Sequence, residues 1–163
     1  MGNESKRLAN ICRYVHYFKL SYAVSDRKVS SVITLGQYFA AKPHNADEYL
    51  RATDLLMKVN RLIGIAPFQI PNCPNTGTQI SGSKNGAGDG GFRLSASTTG
   101  AARSSHKEAR AVDVYDPLNK LDEWITDAIL TDVGLYRETP SATPNWCHLT
   151  TRKPSSGNRT FMI

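Results

Sequence analysis

The segment Ser104-Ser105-His106-Lys107-Glu108-Ala109-Arg110-Ala111-Val112-Asp113 sets a histidine and an aspartate seven residues apart. On one continuous helix the two would share a face but lie about 10 Å apart along the axis, too far for one metal ion. A loop that runs into a strand removes the difficulty, because the loop can fold His106 back over Asp113. Residues 111–115 alternate as a strand does, with Ala111, Asp113 and Tyr115 on one side and Val112 and Val114 on the other. A carboxylate among apolar neighbours needs a partner, since burying an unpaired charge is costly. A metal ion is one such partner.

A third candidate is His148, in Trp146-Cys147-His148-Leu149. Strand alternation puts Trp146, His148 and Thr150 on one face and Cys147 on the other. Cys147 is thereby excluded as a co-ligand of His148, and a cysteine–histidine nucleophile is disfavoured. Two imidazoles, a carboxylate and a water form the open four-coordinate site expected of catalytic zinc. Taken singly each residue is ordinary: a lone histidine is more often a core or surface residue, and an aspartate at a strand end is usually a turn or cap. They become informative as a set.

The pattern Ser-x-His-x-x-(Gly/Ala)-x-Ala-x-Asp followed by Trp-x-His resembles the D-Ala-D-Ala carboxypeptidase and L-Ala-D-Glu endopeptidase family of zinc peptidases. Many members are bacteriophage endolysins, and the family shares its fold with the Hedgehog signalling domain. Ser104, His106, Ala111 and Asp113 match the first motif, with Ala109 where glycine is usual, and Trp146 and His148 match the second. Gly91-Phe92-Arg93 resembles the family's Ser-Gly-Tyr-Arg segment, with a glycine-rich insertion between it and Ser81-Gly82. Gly157-Asn158-Arg159 resembles the ending of phage-type members, and Ile33-Thr34-Leu35 the start of their first helix. The likeness covers residues 33–163.

The resemblance implies Zn2+ on His106, Asp113 and His148, with Arg93 binding a substrate carboxylate or steadying the oxyanion. Ser104 would orient the substrate or the His106 loop. Many relatives carry a glutamate base just before the second motif, where this chain has Asn145, which cannot take a proton. Phage-type members carry a Leu-(Ile/Tyr)-x-Glu form earlier, and Leu135-Tyr136-Arg137-Glu138 fits it, which makes Glu138 the implied base.

These residues need a scaffold, and the sequence outlines one. Residues 5–19 read as an amphipathic helix of unknown role within an N-terminal segment 1–30. Thr34 and Gln37 form a capping box that opens a second helix ended by Lys42-Pro43. Asn45 and Glu48 form another, opening a helix with Leu50, Leu55, Leu56, Val59, Leu62 and Ile63 facing inward and Gly64 as its stop. Residues 67–71 and 79–82 are candidate strands, the first confined to an edge by its prolines. Asp116-Pro117 begins a further helix with Leu118, Leu121, Trp124, Ile125, Ala128 and Ile129 on one face. Residues 134–138 and 146–151 form a hairpin. The layout predicts a single α+β domain over residues 1–163, with helices packed on a small antiparallel sheet; the resemblance implies that this fold is Hedgehog- and DD-peptidase-like.

Composition narrows the function classes. No apolar run approaches the ~20 residues of a membrane helix, and residues 1–7 lack a signal-peptide pattern, so synthesis in the cytoplasm is expected. Three scattered cysteines, Cys12, Cys73 and Cys147, argue against a disulfide framework or a cysteine-built zinc site. The net charge of +6 draws the protein towards something anionic, either the bacterial envelope or nucleic acid. The charge is dispersed, however, and no aromatic-basic motif of an RNA-binding sheet occurs. Gly86-Ala87-Gly88-Asp89-Gly90-Gly91 fits a dinucleotide motif in form only, since no strand precedes it and no helix follows. His16, His44 and Asp116 read as structural. The expectation is a monomeric zinc peptidase of the phage endolysin type, acting on peptidoglycan peptides in the cell wall and not on nucleic acid. The alternative is a non-catalytic, zinc-stabilised wall-binding or virion module of the same fold.

Overall fold

The computed structural model describes residues 32–83 and 89–162. The helix expected over residues 5–19 lies outside them. Helix α1 (Leu35–Phe39) opens on the capping box read from the sequence. Thr34 Oγ1 accepts from the Gln37 amide at 3.2 Å, and Gln37 Oε1 accepts from the Thr34 amide at 2.9 Å. The helix stops earlier than Lys42-Pro43, because Ala40 turns into the left-handed region (φ 47°) and gives its N–H to the Gly36 carbonyl. Helix α2 (Ala46–Ile65) starts on the reciprocal Asn45–Glu48 bonds of 2.9 and 2.8 Å. Ala52, Leu55, Leu56, Val59, Leu62 and Ile63 form its buried face. Two details differ from expectation. Leu50 is 58% exposed, and the helix passes Gly64 to end at Ile65, because a lone glycine weakens a helix without breaking it.

Strands β1 (Ala111–Tyr115), β2 (Tyr136–Glu138), β3 (Trp146–Thr150) and β4 (Thr160–Phe161) form one sheet in the order β1-β3-β2-β4. The hairpin of β2 and β3 is present, and β1 lies antiparallel on the other edge of β3. The sheet is nevertheless mixed and not wholly antiparallel, since β4 pairs with β2 in parallel. Topology explains the correction. Both edges of β3 are taken, so the chain that returns against its direction docks on the free edge of β2. There the Arg137 amide donates to Arg159 O at 2.9 Å and the Thr139 amide to Phe161 O at 2.8 Å.

Three further expectations are corrected. Residues 67–71 are not a strand; Pro67 and Pro71 have no amide hydrogen to give a ladder. Residues 79–82 contribute one bridge, Ile80 against Val114, flanked by hydrogen bonds of 2.8 Å from Ser81 N to Asp113 O and from Tyr115 N to Gln79 O. The single helix expected after Asp116 is two, α3 (Lys120–Trp124) and α4 (Asp127–Val133). Ile125 is extended, and Thr126 restarts the helix by accepting from the Ile129 amide. Asp116 does act as a cap, its Oδ2 accepting from the amides of Leu121 and Asp122 at 2.9 and 3.2 Å.

One apolar cluster joins the elements, with Leu55, Val59 and Leu62 of α2 and Val112, Val114, Cys147 and Leu149 of the sheet among its members. Tyr38 of α1 is fully buried and donates its hydroxyl hydrogen to the Ala111 carbonyl at 3.0 Å. That bond ties the first helix to the strand that carries Asp113. Tyr38→Phe keeps the ring and strands the carbonyl, so stability should fall by about 1 kcal/mol. Urea denaturation at unchanged m-value is the measurement, and an unaltered midpoint would remove the tie.

Candidate metal centre

Three strands supply one residue each to a single transverse row. Asp113 on β1 is paired with His148 on β3. The β2–β3 register, Tyr136 to Thr150 and Arg137 to Leu149, brings Glu138 opposite His148 on the next step. Side chains of residues directly opposite in a sheet project to the same face. Arg137 projects to the other face, where its Nη1 reaches Asp122 Oδ1 at 3.4 Å. Cys147 shares that rear face with the core and lies beside Asp122. Burial pushes its thiol well above the ordinary cysteine range, and the Asp122 charge pushes the same way, so it is an inert core residue. The separation of Cys147 from His148 read from strand alternation holds.

His106 arrives from outside the sheet. Ser104 Oγ accepts from the His106 amide at 3.4 Å and caps the short 3-10 turn Ser105–Glu108. Ala109 closes the turn in the left-handed region (φ 55°), donating to the carbonyls of Ser105 and His106. That conformation costs an alanine about 1 kcal/mol relative to glycine, a physical reason for glycine at this point of such a motif. The turn folds His106 over β1, as a loop entering a strand must do to bring residues seven apart together.

His106, Asp113 and His148 are all buried, and one ligand atom from each lies within 4.8 Å of the others. His106 Nε2 is 3.2 Å from Asp113 Oδ1 and 3.3 Å from His148 Nδ1, and His148 Nδ1 is 2.7 Å from Asp113 Oδ1. A tetrahedron with bonds near 2.1 Å has edges of about 3.4 Å, so two separations already match a metal's coordination shell. The donor set fits as well. His106 Nδ1 lies 2.8 Å from the Gly91 carbonyl, which can only accept, so Nδ1 carries the hydrogen and Nε2 presents its lone pair inward. That lone pair faces the Asp113 carboxylate with no hydrogen between them unless the buried imidazole is charged. A cation would satisfy the His106 lone pair and the carboxylate together, and the group could hold a metal ion. Burial raises the Asp113 pKa, but the two imidazoles outweigh it and hold the carboxyl well below the usual range.

The surrounding backbone does the positioning. Three successive carbonyls are used: Asp89 O accepts from Arg93 Nε at 2.6 Å, Gly90 O from the Asp113 amide at 2.8 Å, and Gly91 O from His106. Arg93 Nη2 in turn lies 3.3 Å from Asp113 Oδ2, the oxygen not turned towards the histidines. Arg93 therefore has its partner inside the site, against the Asp113 carboxylate. Residues 89–91 belong to the glycine-rich stretch dismissed as a nucleotide motif, and nothing in their composition marked them as support for the histidine and aspartate. Gly90 is required sterically: a Cβ there would collide with the Ser81 carbonyl and stand 3.1 Å from Asp113 Cβ.

Glu138 is half-buried beside the cluster. Burial raises its pKa, the two histidines oppose that shift, and Asp113 adds to it. Asn145 sits at φ 73°, in the left-handed region that asparagine tolerates better than glutamate, at the turn into β3. His44 is exposed, stacks on Phe39 with ring centres 3.6 Å apart, and is not part of the cluster, as the sequence indicated. Comparison with protein-family models, curated proteins and solved structures gave no match to this chain.

Two outcomes follow from the geometry. Alanine at His106, Asp113 or His148 should each abolish stoichiometric binding of a divalent ion and lower the melting temperature of the metal-loaded protein, since an ion held only by the folded state stabilises it. Metal analysis after gel filtration reads this, and full occupancy in any variant removes that residue from the set. Gly90→Ala should displace the Asp113 strand, weakening metal retention and costing about 1–3 kcal/mol by overpacking. Wild-type metal affinity in that variant would show that the close approach is dispensable.

Proposed function

We propose that this chain is a zinc peptidase that hydrolyses an amide bond in peptidoglycan stem peptides, in the manner of a phage endolysin. The observation that carries the reading is the row Asp113–His148–Glu138, closed by His106. It joins three metal-binding groups to one acid that is not needed as a ligand. The motif residues Ser104, His106, Asp113, Trp146 and His148 add their likeness to the zinc peptidases.

In this reading zinc, when bound by His106, Asp113 and His148, supplies polarisation of the scissile carbonyl and a water acidic enough to attack at neutral pH. The chain's own groups do the rest. Glu138 accepts a proton from the attacking water and passes it to the leaving amine, so the carboxylate ends as it began. Burial, which raises its pKa, makes it a better proton acceptor than an exposed glutamate. Arg93 sets its charge against Asp113 Oδ2, fixing which carboxylate oxygen faces the histidines. From the same place it stabilises negative charge on the substrate. Ser104 keeps the His106 turn closed.

Glu138→Gln separates catalysis from metal binding. Folding disfavours the ionised form of this half-buried acid, so the amide should leave the melting temperature unchanged or slightly raised. Metal content should also hold. Release of peptides from purified sacculi should drop by roughly 10²–10⁴-fold, the usual contribution of a general acid–base group. Normal turnover in the variant would exclude Glu138 as the base. Absence of turnover in the wild type on every sacculus tried would favour the zinc-stabilised, non-catalytic module.

A further inference from the structure

Cations that are dispersed in the sequence meet on the outer side of the turn that carries His106. Arg51 of α2 donates from Nε to the Glu108 carbonyl at 2.7 Å. Arg152, beyond the end of β3, reaches the Arg103 carbonyl at 2.9 Å and Glu108 Oε1 at 3.5 Å with the same Nη1. Arg110 lies 3.8 Å from Glu108 Oε2. Lys107 belongs to the turn itself, and Lys153 adjoins Arg152. Glu108 alone supplies a carboxylate to these contacts, so the cations outnumber it heavily and the surface keeps a net positive charge. Arg103, Arg152 and Lys153 are exposed. The turn thus has two sides: inward it carries His106 to the candidate metal centre, and outward it meets guanidinium groups.

We propose that this face is a docking surface for the carboxylate-bearing stem peptides of the sacculus, holding the anionic mesh beside the metal centre. The inference rests on the reading of the site as a peptidoglycan peptidase and adds to it a substrate property, negative charge outside the scissile bond. Two features favour peptide carboxylates over nucleic acid. Guanidinium forks match planar carboxylates in a two-pronged fashion. Segments 103–110 and 150–153 contain no phenylalanine, tyrosine or tryptophan on which a base could stack. The surface also adjoins the metal centre through one short turn, so a peptide held there lies close to the hydrolytic groups.

The test uses the full chain and purified sacculi, reading sedimentation and released peptides in the same tubes. One variant, Arg103→Gln/Arg152→Gln/Lys153→Gln, removes exposed cations of the patch. A second, Lys58→Gln/Arg61→Gln/Lys120→Gln, removes the same formal charge elsewhere on the surface. The patch variant should lose retention about tenfold or more at physiological salt, while the control variant stays near wild type. Sacculi whose carboxyl groups have been amidated should release the wild type to the same extent. Equal losses in the two variants would reduce the effect to net charge and overturn the proposal. Retention that survives amidation but disappears when phosphate polymers are stripped, or that duplex DNA abolishes at equal charge, would overturn it too. Should either variant melt early, a salt titration of wild type on native against amidated sacculi decides the same point. Patch-dependent retention without peptide release supports the docking surface while refuting hydrolysis; release that ignores the patch does the reverse.

Discussion

A carboxylate on a strand covered on both faces is the constraint from which the rest of the site follows. Asp113 is buried, as are its β1 neighbours Ala111, Val112 and Val114. An isolated ion there would cost several kcal/mol even after relaxation. Three side chains surround it, two imidazoles at Oδ1 and the Arg93 guanidinium at Oδ2. Those partners lie 20 and 7 residues before it and 35 after it in the chain, so the folding of distant segments converges on one side chain. A buried charge held this way fixes geometry more surely than it adds stability. Removing one partner would leave the others facing an uncompensated ion.

Fixing the carboxylate does not suffice; the imidazoles must be held in one tautomer and one orientation. Here the backbone takes over from side chains. The three consecutive carbonyls of residues 89–91 address Arg93, the Asp113 amide and His106 in turn. A carbonyl cannot donate, which settles the His106 tautomer without any further group. Such close approach of main chain to main chain needs the smallest residue, and Gly90 lies between the Ser81 carbonyl and Asp113 for that reason. The outer edge of β1 is satisfied by the same device, with Gln79, Ser81 and Gly90 exchanging hydrogen bonds with it in place of a regular strand.

What the sequence made legible and what it hid divide along physical lines. Local signals read well: both capping boxes, strand β1 to the residue, and the facing of Cys147 away from His148 depend on neighbours a few residues apart. The His106–Asp113–His148 trio was legible through its likeness to a known motif, with strand alternation and a loop-to-strand junction limiting where His106 can go. Failures came where tertiary contacts decide. The parallel docking of β4 follows from which sheet edges remain free, and no local pattern records that. The split between α3 and α4 was signalled only by Thr126, a weak cap inside an apolar periodicity that runs straight through it. The supporting role of residues 89–91 was invisible, since carbonyl groups are common to every residue and glycine reports only that space is short.

In the function proposed for this chain, the row of three strands would let one small sheet separate metal binding from proton transfer. Asp113 and His148 face each other across β1 and β3, where the pairing spans five residues on each strand and both are buried. Glu138 lies at the end of β2, which pairs with β3 at two positions and with the two-residue β4 beyond. Ladder length governs how tightly a position is held, so the candidate ligands sit where the sheet is continuous and Glu138 sits where it thins towards solvent. A metal ligand gains from rigidity, because ligand spacing must stay within a few tenths of an ångström. In the hydrolysis proposed for this site, an acid that faces first a water and then a leaving amine would gain from a partly open edge. His148 borders both regions, set between the buried Asp113 on one strand and the half-buried Glu138 on the other.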